Sequence, residues 1–187
     1  FASLKLADYF LTYKKVEQNE MELQQKATTT SLNNLQKQYA EMVGWIKINN
    51  TKVDYPIMQG ANNEFHLTRN YEGEKFRAGS IFLDYRNDPS LGDRHSIIYG
   101  HDLRNGSMFG QLHRYEDQSF ADSNRYFTID LGNEVVTLEV FAAYQTTTDF
   151  YYIETVFTNE SYEQFIETIK KKSLITYDAP IYGNDQI

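Results

Sequence analysis

The chain has 187 residues, a formal net charge of −8 and no cysteine. An acidic chain of this kind lacks the basic stripe that displaces counterions from phosphates, which argues against nucleic acid as a partner. The absence of cysteine excludes disulfides, cysteine-ligated zinc, iron–sulfur clusters and a cysteine nucleophile within these residues, while 41% hydrophobic and 15% aromatic content supplies a real core.

Residues 1–43 contain neither glycine nor proline, so the strongest helix breakers are missing. Leu4, Ala7 and Leu11 follow helical spacing beside Phe10. Thr28, Thr29, Thr30 and Ser31 interrupt that pattern and offer capping oxygens. Leu32, Leu35, Tyr39 and Met42 then form the stripe of a second helix. The predicted organisation is a helical appendage over residues 1–43 packed on a body over residues 44–187. A coiled coil fits poorly, because the threonine cluster breaks the stripe.

From Gly44 the texture becomes that of short strands. Trp45–Ile48, Val53–Met58, Gly79–Asp84 and Ser96–Tyr99 read as extended, with Pro56 pointing to an edge or a strand end. Gly106–Leu112 reads as a short helix after a Ser cap, burying Met108, Phe109 and Leu112. Tyr126–Leu131 and Val135–Tyr144 flank Gly132-Asn133, a hairpin turn. Ser161–Ser173 reads as a helix with Tyr162, Phe165, Ile166 and Ile169 on one face and Lys170, Lys171 and Lys172 in its last turn. Ser173–Tyr177 and Ala179–Tyr182 read as extended again. The fold class is mainly β with helices (α+β), a small mixed sheet or barrel. No apolar run reaches the roughly 18 residues that a membrane span needs.

Among the four histidines, His101 has the most informative setting. It follows the apolar run Ile97-Ile98-Tyr99 and Gly100, so a rigid strand end would present it to a cleft. Imidazole, with an ordinary pKa of about 6.5, suits proton transfer. The bland alternative is a loop histidine with no role. A metal site would draw on His95, His101, Asp84 and Asp102, but His95 and His101 are six residues apart on an extended segment, about 20 Å, too far for one ion. No metal is expected. Asp84-Tyr85-Arg86-Asn87-Asp88-Pro89 reads as a turn with a surface salt bridge in preference to an anion contact at Arg86. Thr146–Thr148 followed by Asp149–Ile153 is a polar-to-aromatic loop. It either lines a peptide groove or plugs a strand end. There is no Gly-x-Ser-x-Gly elbow, phosphate loop or dinucleotide fingerprint. The 15 Tyr and 12 Phe also admit a glycan-stacking platform, although most are interleaved with Ile, Leu and Val as core residues are.

Gly79-Ser80-Ile81-Phe82-Leu83-Asp84-Tyr85-Arg86-Asn87, Ile97-Ile98-Tyr99-Gly100-His101, Met108-Phe109 with Leu112 and Tyr115, Val140–Tyr144, Thr146–Thr148, Tyr152-Ile153 and the helix ending Lys171-Lys172-Ser173 occur in an order that resembles the class B sortases. These are cysteine transpeptidases of Gram-positive surfaces. The resemblance implies a closed β-barrel with an N-terminal helix pair and one late helix between strands. It implies cleavage of a C-terminal sorting signal of the Asn-Pro-x-Thr or Leu-Pro-x-Thr kind after its Thr, through a thioester. The acyl group passes to a peptidoglycan cross-bridge amine or a pilin lysine. His101 matches the catalytic histidine; Asn63, Leu67, Thr148, Tyr152 and Ile153 match positions lining the signal groove. No cofactor is implied. The implied location is the extracellular face of the cytoplasmic membrane, held by a single anchor before Phe1. The family's nucleophilic cysteine ends a strand after the late helix, and its oxyanion-stabilising arginine follows on the next strand. This chain stops at Asp185-Gln186-Ile187, so both are expected beyond Ile187, and these residues alone are expected to be inactive. The alternative is a catalytically inactive peptide- or glycan-binding surface module.

Overall fold

The computed structural model describes residues 2–177, with the side chains of residues 2–10 and 12 outside the description. The predicted helix pair is present as α1 (Ala2–Thr29) and α2 (Leu32–Gln38), with Ser31 as the N-cap between them. The Leu4–Ala7 part of the predicted stripe lies outside the described side chains. Further along α1, Val16 and Leu23 are buried two turns apart, on one face of the helix. That face is fastened by polar contacts as well. Tyr55 donates its hydroxyl to Glu20 Oε1 at 2.5 Å. Lys26 Nζ donates to the Tyr39 and Tyr71 hydroxyls and to Glu72.

Met42 corrects the predicted stripe of α2. The helix ends at Gln38, its C-cap Tyr39 has left helical geometry, and Met42 opens β1 (Met42–Lys47), paired with Met58. The remaining strands are β2 (Asp54–Met58), β3 (Ile81–Leu83), β4 (Ile98–Tyr99), β5 (Tyr126–Asp130) and β6 (Val135–Glu139). They form one curled six-stranded sheet of order β4-β3-β2-β1-β5-β6, half of a barrel. The α+β class is the predicted one. Only β2 and β3 run parallel. Parallel neighbours need a long crossover, and residues 59–80 provide it. That crossover carries Asn63 and Leu67.

Pro56 corrects a second expectation: β2 lies inside the sheet, with Pro56 opposite Trp45 of β1. The missing N–H is tolerated because the ladder to β3 begins only at Ile57. β6 stops at Glu139 and not at Tyr144, because its partner β5 begins opposite it at Tyr126. The Gly132-Asn133 hairpin is as predicted.

Alternation across the strands divides the core. Ile46, Ile57, Ile81 and Leu83 point to one face and pack with Val53, Met108, Tyr115 and Ile129. Met58 and Phe82 point to the other face, beneath Leu23 and Leu35 of α1 and α2. This is why β3 is buried on both faces.

The predicted helix at Gly106–Leu112 does not form. Gly106 and Met108 both have positive φ, +80° and +53°, which a right-handed helix cannot contain. A 3-10 turn (Leu112–Glu116) and α3 (Gln118–Ser123) follow instead. The late helix α4 spans Asn159–Lys172 and starts with a reciprocal Thr158–Ser161 capping box. Ser173–Tyr177 does not form a strand. The Ser173 hydroxyl accepts from Ala143 N and Ile175 N and donates to the Ile175 carbonyl, which turns the chain out of the helix. Ala179–Tyr182 lies outside the described residues.

Candidate active site

His101 is carried out of β4 by Gly100. A Cβ at Gly100 would lie 2.4 Å from Ile81 Cδ1 and 2.6 Å from the Phe109 ring, so only glycine lets the strand end pack this closely. The backbone after it folds back. Phe109 N donates to the His101 carbonyl at 3.0 Å, and Asp102 pairs with Met108. The half-buried imidazole places Nε2 2.8 Å from the Leu67 carbonyl. A carbonyl only accepts, so Nε2 bears the hydrogen and Nδ1 is the basic nitrogen of the neutral ring. His95 points elsewhere, with Nδ1 2.6 Å from the Glu154 carbonyl. The two histidines therefore serve different backbone segments.

One loop, the crossover 59–80, touches His101 through the Leu67 carbonyl. A second, 146–157, lies between β6 and α4 and reaches Arg86, His95 and the surroundings of Tyr99. Phe150 and Phe157 of this second loop pack on Phe165 of α4, with ring centroids 5.8 and 5.0 Å away. Tyr151 and Tyr152 instead stand out into solvent. Of the two alternatives the sequence left open, Phe150 shows the plug, and the two tyrosines face outward. Phe65, Leu67, Tyr85, Tyr151 and Tyr152 are between 37 and 58% exposed. Large apolar side chains left in water on loops are candidates for a recognition surface.

Beneath that surface lies a carboxylate the sequence reading misplaced. Asp84 and Arg86 do pair, yet Asp84 is fully buried while Arg86 is partly exposed, so the turn joins an interior carboxylate to a guanidinium at the surface. Asp84 Oδ1 accepts from Arg86 Nε at 2.8 Å and from Arg86 N at 3.0 Å. Oδ2 accepts from Arg86 Nη2, Asn63 Nδ2 and the Tyr99 hydroxyl at 2.8, 2.9 and 2.8 Å. Burial by itself would raise this carboxyl; the donors from Arg86, Asn63 and Tyr99 outweigh it and hold it well below the usual carboxylate range. Tyr99 shows the converse. Burial first, and then its bond to Asp84, push the phenol above its ordinary value, with Tyr152 adding to the effect.

Of the six predicted site residues, Leu67 is joined to His101 directly. Asn63 is joined to Ile153 through Asp84 and Arg86, since Arg86 Nη2 also donates to the Ile153 carbonyl at 2.9 Å. Tyr152 lies within electrostatic reach of Tyr99. Thr148 is exposed on the same loop and makes no hydrogen bond to the other five among the described residues. Asp84, Arg86 and Tyr99 were missed as a unit. The available signal was an aspartate directly after the apolar run Ile81-Phe82-Leu83, a position where a charge must find partners.

His66 is the other buried ionisable group here, 1% exposed, with Nε2 3.3 Å from Glu41 Oε2. Burial lowers its pKa and the Glu41 carboxylate only partly opposes this. The folded ring therefore binds fewer protons than the unfolded one, whose pKa is about 6.5. Stability should fall as pH drops below about 6.5 and level off below the folded pKa. Urea midpoints taken from pH about 7 to 5 check this: the slope should vanish in His66→Gln, and a rise in stability on acidification would show that the Glu41 ion pair dominates.

The sequence of residues 46–176 matches the family model described as Sortase domain. The chain belongs to the sortase family. It is 44% identical over 157 residues to Sortase B of Listeria monocytogenes, covering 83% of this chain and 64% of the relative, so it spans just under two thirds of that protein's length. Sortase B from Bacillus anthracis in complex with AAEK1 superposes with a TM-score of 0.85 at 39% identity, over 92% of this chain and 86% of that one. The Staphylococcus aureus sortase B–substrate complex superposes with a TM-score of 0.77 at 34% identity, over 95% and 84% of the two chains. Within the family, these likenesses place this sortase chain in class B. No helix among its described residues is long and apolar enough to cross a membrane.

Proposed function

We propose that the protein is a transpeptidase that cleaves a C-terminal sorting signal after its Thr and joins the released surface protein to a peptidoglycan cross-bridge amine or a pilin lysine. It works on the extracellular face of a Gram-positive membrane, to which an N-terminal anchor holds it. The observation that carries this reading is His101, fixed through Nε2 on the Leu67 carbonyl at the rim of a surface framed by two loops. In this reading Asn63 and Leu67 line one side of the signal groove, and Thr148, Tyr152 and Ile153 the other.

The chain contains no cysteine, so the thiol of this mechanism is not among these residues. The thiolate attacks the Thr carbonyl carbon and the scissile C–N bond breaks. His101, which takes the thiol's proton on Nδ1 as the thiolate forms, gives that proton to the leaving amine, because an amide nitrogen departs poorly as an anion. The acceptor amine then attacks the thioester, the C–S bond breaks, and the amine's proton returns to His101.

The test is a fluorogenic sorting-signal peptide offered to the thiol-bearing gene product with triglycine as acceptor. The expected result is cleavage after Thr and an amide to the glycine amine, both abolished by a thiol alkylator. Binding of the peptide without turnover would instead establish an inactive recognition module. Cleavage that survives alkylation would remove the thioester from the mechanism.

A further inference from the structure

The Asp84 carboxylate is where the two groove walls and the root of His101 meet, although it touches none of the exposed surface itself. Its five hydrogen bonds come from three separate segments: Asn63 of the crossover, Arg86 of the turn after β3, and Tyr99 of β4. The Asn63 side chain is held on both ends, since its Oδ1 accepts from Tyr85 N at 3.0 Å. Its Nδ2 must therefore face Asp84. On the opposite wall, loop 146–157 has no ladder partner near Ile153 among the described residues. Its backbone there is tied to the body at the Ile153 carbonyl, by Arg86, and at the Glu154 carbonyl, by His95. Arg86 can serve Ile153 only while the carboxylate holds its guanidinium in plane, a fork geometry that a single amide oxygen does not reproduce.

We propose that Asp84 is a positioning residue for peptide recognition, its carboxylate setting the spacing between the Asn63 wall and the Ile153 wall while fixing Tyr99 two residues before His101. The inference rests on the proposed sorting-peptide function for its kinetic consequence, but not for its structural one. Loss of the charge frees Arg86, which frees Ile153. The groove then widens without any groove residue having changed. Removing a group that couples two walls also uncouples substitutions made in them.

The test uses Asp84→Asn and Arg86→Gln in the thiol-bearing protein. Both should raise KM roughly tenfold with little change in kcat, and both should speed amide hydrogen exchange at residues 150–155 while β1 and β5 keep their protection. In a double-mutant cycle, Asn63→Ala and Arg86→Gln should act non-additively on KM in the Asp84 protein and additively in Asp84→Asn. If Asp84→Asn loses the fold outright, Arg86→Gln decides alone, because the arginine is partly exposed and can be replaced without burying a new group. Unchanged exchange at 150–155 in the folded variants overturns the proposal, as does an additive cycle in the Asp84 protein. A wild-type protein that cleaves no sorting peptide overturns the proposed function, and the exchange measurement still judges the clamp.

Discussion

Replacement of His101 by alanine in the thiol-bearing protein lowers transpeptidation by about 10²- to 10⁴-fold, the usual worth of a positioned acid–base group. The loss should appear in kcat, with KM close to wild type. The His101 Nε2 hydrogen bond goes to the Leu67 backbone and not to any side chain proposed to line the groove. The fold should be untouched as well. His101 is half-buried, and the turn that follows it is pinned by the Phe109 N–His101 O bond, which alanine keeps. Steady-state kinetics with the fluorogenic peptide, paired with a urea unfolding curve, checks both halves. Wild-type kcat in a well-folded His101→Ala protein would remove the histidine from proton transfer.

Gly79→Ala should be strongly destabilising. Gly79 has φ of +62°, and a Cβ there would lie 2.6 Å from the His66 carbonyl oxygen and 2.7 Å from that of Leu67. Both are backbone atoms, so no rotamer change relieves the contact. The crossover must move, and the Leu67 carbonyl that orients His101 must move with it. The cost combines a left-handed backbone and an overpacked contact, together roughly 3 kcal/mol. Gly73→Ala is the matched control. Its φ is +78°, but its Cβ would meet nothing nearer than Phe65 Cζ at 3.8 Å, which leaves only the backbone term of about 1 kcal/mol. Denaturant unfolding of the two variants separates the terms. Equal losses would mean that the crossover gives way freely, and that its hold on His101 is soft.

Much of this arrangement was legible in the sequence. The helix pair, the Gly132-Asn133 hairpin and α4 follow from local signals: absent breakers, a turn dipeptide, an apolar face with a basic last turn. His101 was legible for the same reason, as a histidine delivered by a strand and a glycine. The errors share a cause, which is that the deciding partner is distant in sequence. Met42 continues a helical stripe on paper, but Met58 claims it for β1. Pro56 looks like an edge residue because nothing local reveals that β3 begins to pair one residue later. The Gly106–Leu112 helix fails because the turn that returns to His101 demands positive φ at Met108. Asp84 reads as half of a surface pair because the groups that share its interior network, Asn63, Tyr99 and the Ile153 carbonyl bound by Arg86, come from three other segments. The contacts that join Asn63, Arg86 and Tyr99 at Asp84 show only in three dimensions.

The most direct measurement is the intact mass of the thiol-bearing protein after brief mixing with a sorting-signal peptide and no acceptor. The account predicts a mass gain equal to the peptide up to and including its Thr, mapping to a cysteine outside Phe1–Ile187, and discharged by triglycine into one equivalent of amide. No adduct, or an adduct on any of these 187 residues, would contradict it.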